Sequence, residues 1–264
     1  MAGASGAGFD PATHIIGKNI HGRYCVPVGS QHRVAAQCIL KGKVWEEETL
    51  RFMKDHAGDG DIIHAGAYFG DFLPALSRAV APGCKVWAFE PNPENYAAAA
   101  ATCKLNDLQN VEMVNGGLGE ISGMMKMRVR AEGKSLGGIS AMVEGAALVP
   151  DHDLVEVPIY RIDDMVPRSR RISLLQLDVE GFEQPALAGA LAVITSWQPI
   201  LILETVPGPW LARVLAPLGY QFRGRLHENT VLSVSPVRLA GRSWLRRLTA
   251  RMPVRFRAGQ CRAG

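Results

Sequence analysis

Asp61-Ile62-Ile63-His64-Ala65-Gly66-Ala67-Tyr68-Phe69-Gly70-Asp71 decides how the whole chain is read. A short, mainly apolar run that ends in glycine suits a strand buried in a parallel sheet. Gly66 permits a turn at the strand end, and Gly70 lets the next helix begin close to a bound ligand, because neither carries a Cβ. Ala67 and Asp71 complete the turn. It directs backbone amides and a helix N-terminus toward the carboxyl edge of the sheet, where open parallel sheets bind their ligands. Taken alone, the glycine pair is equally well a plain tight turn.

The next segment adds weight. Glu90, twenty residues past Gly70, closes a second apolar run in Trp87-Ala88-Phe89-Glu90-Pro91-Asn92-Pro93. A carboxylate there can accept hydrogen bonds from both ribose hydroxyls of a nucleoside cofactor. It can also cap the following helix, with Pro93 in the first turn, and the two roles are compatible. The same acid occurs in NAD-binding folds, so an NAD-dependent oxidoreductase or epimerase is the rival enzyme class. The chain lacks Gly-x-Gly-x-x-Gly and a recognisable second catalytic domain, and both absences count against that rival.

Outward from this unit, strands and helices alternate. Strands are expected at 61–65, 85–90, 111–115, 172–178 and 200–204, with helices at 43–56, 71–80, 92–106, 183–194 and 209–218. Residues 221–226 and 230–235 read as a terminal hairpin. The fold class is therefore α/β: a doubly wound, mostly parallel seven-stranded sheet closed by an antiparallel hairpin. Residues 1–42 read as a lead-in, 43–237 as the cofactor-binding domain and 238–264 as a basic tail. Between 119 and 167 the alternation breaks; strands at 122–130 and 154–160 flank a glycine-rich stretch. This insertion is read as a flap on the substrate side.

The third informative block is Leu174-Leu175-Gln176-Leu177-Asp178-Val179-Glu180-Gly181-Phe182-Glu183. Three acids within six residues, directly after a buried strand, point to a site rather than to loop solvation alone. Together with Leu187-Ala188-Gly189-Ala190, the Phe89-to-Pro93 turn and Ile202-Leu203-Glu204, this block resembles the FkbM-type methyltransferases. The resemblance spans residues 46–234. It implies the class I methyltransferase-like form of that fold, and an S-adenosyl-L-methionine-dependent transfer of methyl to a hydroxyl oxygen of a sugar, glycan, polyketide or other small natural product. It places Gly66, Gly70, Glu90 and Asp178 on the cofactor side, with Gly117 and Leu118 beside the adenine; His64, Ala67, Asp71, Pro91 and Asn92, which flank them in the same turns, are expected to bind the cofactor as well. The chain departs from the family pattern at His64, where an acid is usual, and at Gln176, where a lysine is usual. Tyr68 and Phe69 are bulkier than the residues common in that turn.

A sulfonium methyl is already electrophilic, so the protein must align an oxygen and supply a base within ~2.6–3.2 Å. Asp178 or Glu180 is expected as the base, with Glu204 orienting the acceptor. His227, beside Glu228 and Asn229, reads as a turn residue. A divalent metal on Asp178, Glu180 and Glu204 is the minor alternative, and none is expected.

Composition sets the remaining limits. The net charge of +4 comes from 29 basic against 25 acidic residues. Eight arginines and no acid lie from Arg238 onward, which leaves 21 basic against 25 acidic residues, a body of charge −4. The basicity belongs to the tail, so nucleic acid is not expected as a partner of the body. The tail interleaves its arginines with Trp244, Leu245, Leu248 and Phe256. That suits peripheral contact with an anionic membrane or a solubilising extension, and a non-catalytic scaffold carrying such a tail is the non-enzymatic rival. Five scattered cysteines without a Cys-x-x-Cys pair suggest neither zinc nor a disulfide framework. With no secretory signal pattern at the start, a cytoplasmic location is expected.

Overall fold

All five residues of the central strand Asp61–Ala65 are buried, and the rest of the molecule is built outward from it. The computed structural model describes residues 12–132, 134–143 and 150–239. In chain order the strands are β1 (His14–Asn19), β2 (Gly22–Pro27), β3 (Asp61–Ala65), β4 (Val86–Phe89), β5 (Val111–Val114), β6 (Gly117–Leu118), β7 (Gly123–Arg128), β8 (Arg130–Ala131), β9 (Lys134–Ser135), β10 (Ala141–Val143), β11 (Leu154–Tyr160), β12 (Ile172–Leu177), β13 (Ile200–Leu203), β14 (Gln221–Leu226) and β15 (Asn229–Ser233). The helices are α1 (Val34–Leu40), α2 (Glu47–Asp55), α3 (Leu73–Ala79), α4 (Pro93–Leu105), α5 (Ile162–Met165), α6 (Glu183–Ala188), α7 (Leu191–Trp197) and α8 (Gly208–Val214).

The main sheet runs β14-β15-β13-β12-β3-β4-β5. Strands β13, β12, β3, β4 and β5 are parallel, and β15 lies antiparallel between β13 and β14. This is the doubly wound sheet with a terminal hairpin that the sequence leads one to expect. From β3 the chain builds toward β5 on one side and later toward β13 on the other. The strand order therefore reverses between β3 and β12, and such a switch point opens a crevice at the carboxyl ends.

Alternation along the strands fills both faces. Ile63, Ala65, Leu175, Leu177, Leu201 and Leu203 pack with residues of α5 to α8 on one side. Ile62, Val86, Leu174, Ile202 and Val231 pack with α2, α3 and α4 on the other. Each fully buried aliphatic side chain contributes about 1.5–3 kcal/mol. At the amino edge, Asp61 is 1% exposed. It accepts from the Lys85 amide at 2.8 Å, Trp87 Nε1 at 2.8 Å and Arg170 Nε at 2.8 Å. That group pins β3, β4 and the approach to β12 together, on the side away from the crevice.

Several boundaries differ from expectation, each for a tertiary reason. Helix α2 starts at Glu47 rather than at 43, because the carbonyls of Lys43 and Val44 are held by Asn19 Nδ2 and Cys38 Sγ. The expected helix 183–194 is two helices. A Cβ on Gly189 would lie 2.0 Å from the Gly119 carbonyl oxygen, and Asp163 caps the new start by accepting from the Ala192 and Val193 amides. The expected helix 209–218 ends at Val214 and continues only as a 3-10 turn at Ala216–Leu218.

Residues 14–40, expected as a lead-in, pack into the body. Tyr24 and Val26 share a core cluster with Phe69 and Ala98, and the Cys25 amide donates to Thr102 Oγ1. The insertion forms its own sheet, β10-β7-β11-β6. The four cysteines among the described residues are free. No helix among them is long and apolar enough to cross a membrane. The basic tail, apart from its first two residues, lies outside the described residues.

Candidate active site

The carboxyl ends of β3 and β12 touch. The Asp178 amide donates to the Ala65 carbonyl at 3.1 Å. Gly66 follows at φ +84°, and a Cβ there would sit 1.9 Å from the Asp178 carbonyl oxygen. Only glycine fits. Tyr68 also takes a left-handed conformation, φ +49°, and its amide thereby donates to Glu90 Oε2 at 2.8 Å. The other carboxylate oxygen of Glu90 accepts from the Asn92 amide at 2.9 Å and from Asn95 Nδ2 at 3.4 Å. Glu90 is 4% exposed, and burial pushes it up to about 7 against those hydrogen bonds. Asn92 caps α4 by accepting from the Glu94 amide.

Two adjoining cavities share Gly66, Glu90, Gly138, Asp178 and Glu180. One is a slot of about 30 Å³ between Pro91, Gly117, Leu118, Met127, Met142 and Phe182. The other measures about 450 Å³ and is walled by Arg33, Trp45, Glu46, Asp71, Phe72, Glu204, His227 and Glu228 among others. The insertion, expected over the substrate, reaches both: Ile139 lines the larger cavity and Met142 the slot. It is tied down by Asn92 Nδ2 to Ser140 Oγ and by Asn95 Nδ2 to the Gly137 carbonyl, each at 3.1 Å.

Carboxylates dominate the larger cavity. Asp178, Glu180 and Glu204 each bring an oxygen within 4.8 Å of the others, an arrangement able to hold a divalent cation or a shared proton. Burial raises Asp178 well above the usual carboxylate range, and the facing Glu204 carboxylate adds to the effect. Glu180 is pushed up to about 7, first by burial and then by the charges of Glu204 and Glu183. Asp71 also rises to about 7, through burial and the charge of Glu46.

The expected site residues thus separate into groups. Gly66, Glu90, Asp178 and Glu180 line both cavities; Pro91, Gly117 and Leu118 line the slot; Asp71 and Glu204 line the larger space. Ala67 is fully buried in the core, and Gly70, at φ +82°, closes the turn by donating to the Ala67 carbonyl at 2.7 Å. His64 was expected at the cofactor and lines neither cavity. Its Nδ1 lies 2.5 Å from Gln176 Oε1 and its ring stacks on Phe72. The expected anion-binding start of α3 is also altered: the amides of Asp71 and Phe72 face the Asp71 carboxylate itself. His227 sits in the β14–β15 turn, φ +53°, and also lines the larger cavity. Arg33, Trp45 and Glu46 were not anticipated, since their segments carry no strand-end or glycine-turn pattern.

The family model described as "Methyltransferase FkbM domain" matches residues 64–215, more than half of the chain. The chain belongs to the FkbM methyltransferase family. That assignment displaces the NAD-dependent reading. Methyltransferase 1 of Beauveria bassiana (strain ARSEF 2860) is 25% identical over 146 residues, 50% of this chain. The match covers 58% of that relative, so the chain spans less than two thirds of its length. Among solved structures, the methyltransferase FkbM from Methylobacillus flagellatus KT is 18% identical, with 66% of this chain and 43% of that one covered and a TM-score of 0.45. A methyltransferase from Geobacter sulfurreducens is 12% identical, with 78% and 87% covered and a TM-score of 0.45. The FkbM domain begins at His64 and so leaves out β1, β2, α1 and α2, although α1 and the start of α2 supply part of the cavity wall.

Proposed function

We propose that this protein is an S-adenosyl-L-methionine-dependent O-methyltransferase acting on a hydroxyl of a sugar, glycan, polyketide or other small natural product. The observation that carries the reading is the meeting of Gly66, Glu90 and the Asp178, Glu180 and Glu204 carboxylates on one cavity at the switch point of the sheet. The residues fit the cofactor. Gly66 leaves the backbone bare where a Cβ would overlap Asp178, and Glu90 offers its carboxylate to the ribose hydroxyls. Pro91, Gly117 and Leu118, the residues expected beside the adenine, line the adjoining slot.

Bound there, the cofactor supplies an electrophilic methyl group. The chain's own tasks are alignment, exclusion of water and removal of a proton. Asp178 or Glu180 takes the hydroxyl proton, because burial makes each a stronger proton acceptor than a solvated carboxylate. Glu204, on the adjacent strand end, orients the acceptor.

A thermal-shift titration tests the cofactor half of the reading. S-adenosylhomocysteine at a hundredfold excess over its Kd stabilises the protein by about 2.7 kcal/mol, whereas NAD has no effect. Absence of a response to S-adenosylhomocysteine would rule the proposal out. For the catalytic half, Asp178→Asn and Glu180→Gln are each assayed for methyl transfer. At least one loses about 10²–10⁴ in kcat while still binding S-adenosylhomocysteine.

A further inference from the structure

The cofactor carries a carboxylate at its methionine end, and the obvious receptor for it is missing. Helix α3 has seven residues, and the amides at its approach already face the buried Asp71 carboxylate. Glu46, Glu90, Asp178, Glu180, Glu204 and Glu228 line the same cavity. An entering carboxylate therefore meets like charge on most of the wall.

Arg33 is the one lysine or arginine among the described residues that line this cavity. It is the N-cap residue of α1, and its Nη2 donates to the Leu136 carbonyl at 2.5 Å. A Cβ on Gly137 would meet Arg33 Cγ at 3.3 Å and Tyr68 Oη at 2.9 Å, so the stem lies beside Gly137 of the insertion. Its Nε is buried without a hydrogen-bond partner. A buried donor left unmade costs about 1–3 kcal/mol, so turning the guanidinium to meet an oxygen in the cavity offsets part of the cost of its present arrangement. The fork of a guanidinium matches a carboxylate with two parallel hydrogen bonds.

We propose that Arg33 receives the methionine carboxylate of the cofactor, an assignment that rests on the S-adenosyl-L-methionine reading above. Arg33 lies outside residues 64–215. The N-terminal unit thus adds the cation that the family domain does not place in the cavity among the described residues.

Calorimetric titrations of wild type, Arg33→Ala and Arg33→Lys compare two ligands: S-adenosylhomocysteine, and methylthioadenosine, which keeps the adenosine and sulfur but has no amino-acid end. Arg33→Ala weakens S-adenosylhomocysteine at least about tenfold, equivalent to about 1.4 kcal/mol, and leaves methylthioadenosine unchanged. Arg33→Lys restores part of the loss. An equal loss for both ligands, or no loss for S-adenosylhomocysteine, overturns the proposal and leaves Arg33 as an anchor for Leu136. Wild-type protein that binds neither ligand overturns the cofactor reading, and this proposal with it.

Discussion

His64 and Gln176 are two of the positions where the chain departs from the pattern its FkbM resemblance implies, and the structure puts them in contact. They are register partners on β3 and β12, 3% and 2% exposed, joined by Nδ1 and Oε1 at 2.5 Å. Burial pushes His64 down to about 4, so the pair is neutral near pH 7. An acid and a lysine, the residues usual at these positions, would form a buried ion pair in the same space. His64→Asp alone puts a carboxylate opposite an amide, and Gln176→Lys alone puts an ammonium opposite a neutral imidazole. Removing one partner of a buried pair costs about 3–5 kcal/mol, and each single variant falls toward the lower end because the remaining polar group still offers one hydrogen bond. The double variant His64→Asp/Gln176→Lys regains about 2–3 kcal/mol of coupling, the upper range for contacting groups. Urea denaturation of all four proteins, with m-values checked for constancy, measures the cycle. Single effects that add within about 0.5 kcal/mol would show that the two departures are independent and the argument mistaken.

Other perturbations separate site from scaffold. Gly66→Ala meets the Asp178 carbonyl at 1.9 Å in a left-handed conformation and costs about 3 kcal/mol or more, while Gly181→Ala, at φ +91° with nothing within 4 Å, costs only about 1–2 kcal/mol; equal chemical-denaturation midpoints for the two would contradict this. Asp61→Asn turns amide donors toward the Arg170, Trp87 and Lys85 donors and lowers stability by about 3 kcal/mol, yet leaves the S-adenosylhomocysteine Kd unchanged in titration because Asp61 lies at the opposite edge of the sheet. Asp71, Glu90 and Glu180 are each raised to about 7 from 3.8 or 4.5, so the fold retains protons that the unfolded chain has released. Stability of the cofactor-free protein therefore falls as pH rises through that window. Glu180→Gln makes the dependence of the melting temperature on pH shallower, and an unchanged slope would remove Glu180 from the set.

What the sequence discloses depends on whether a residue's role is set by its own element or by its neighbours. Asp61–Ala65, Glu90 and Asp178 sit at strand ends that apolar runs mark out, and the parallel sheet then brings those ends to one edge. Pro91, Gly117 and Leu118 follow from the same frame. The split between α6 and α7 does not, because it comes from Gly119 crowding Gly189 and from Asp163 supplying a distant cap. The contact of His64 with Gln176 spans 112 positions and exists only once β3 and β12 are in register.

The cavity wall carries this distinction into function. A helix beginning at Gly70-Asp71 invites an anion at its N-terminus in any reading made residue by residue. In the folded protein the Asp71 carboxylate is 8% exposed and faces those amides, so the helix start is held by the chain's own acid. The positive charge arrives instead from Arg33, which stands before β3 in sequence and reaches the cavity because β2 packs on α4 and brings the start of α1 alongside. The glycine turn and Arg33 are thus two candidate donors to an anion in one cavity, and the second is the one proposed above. The methylthioadenosine comparison distinguishes the two, because only a donor that touches the amino-acid end loses its effect when that end is absent.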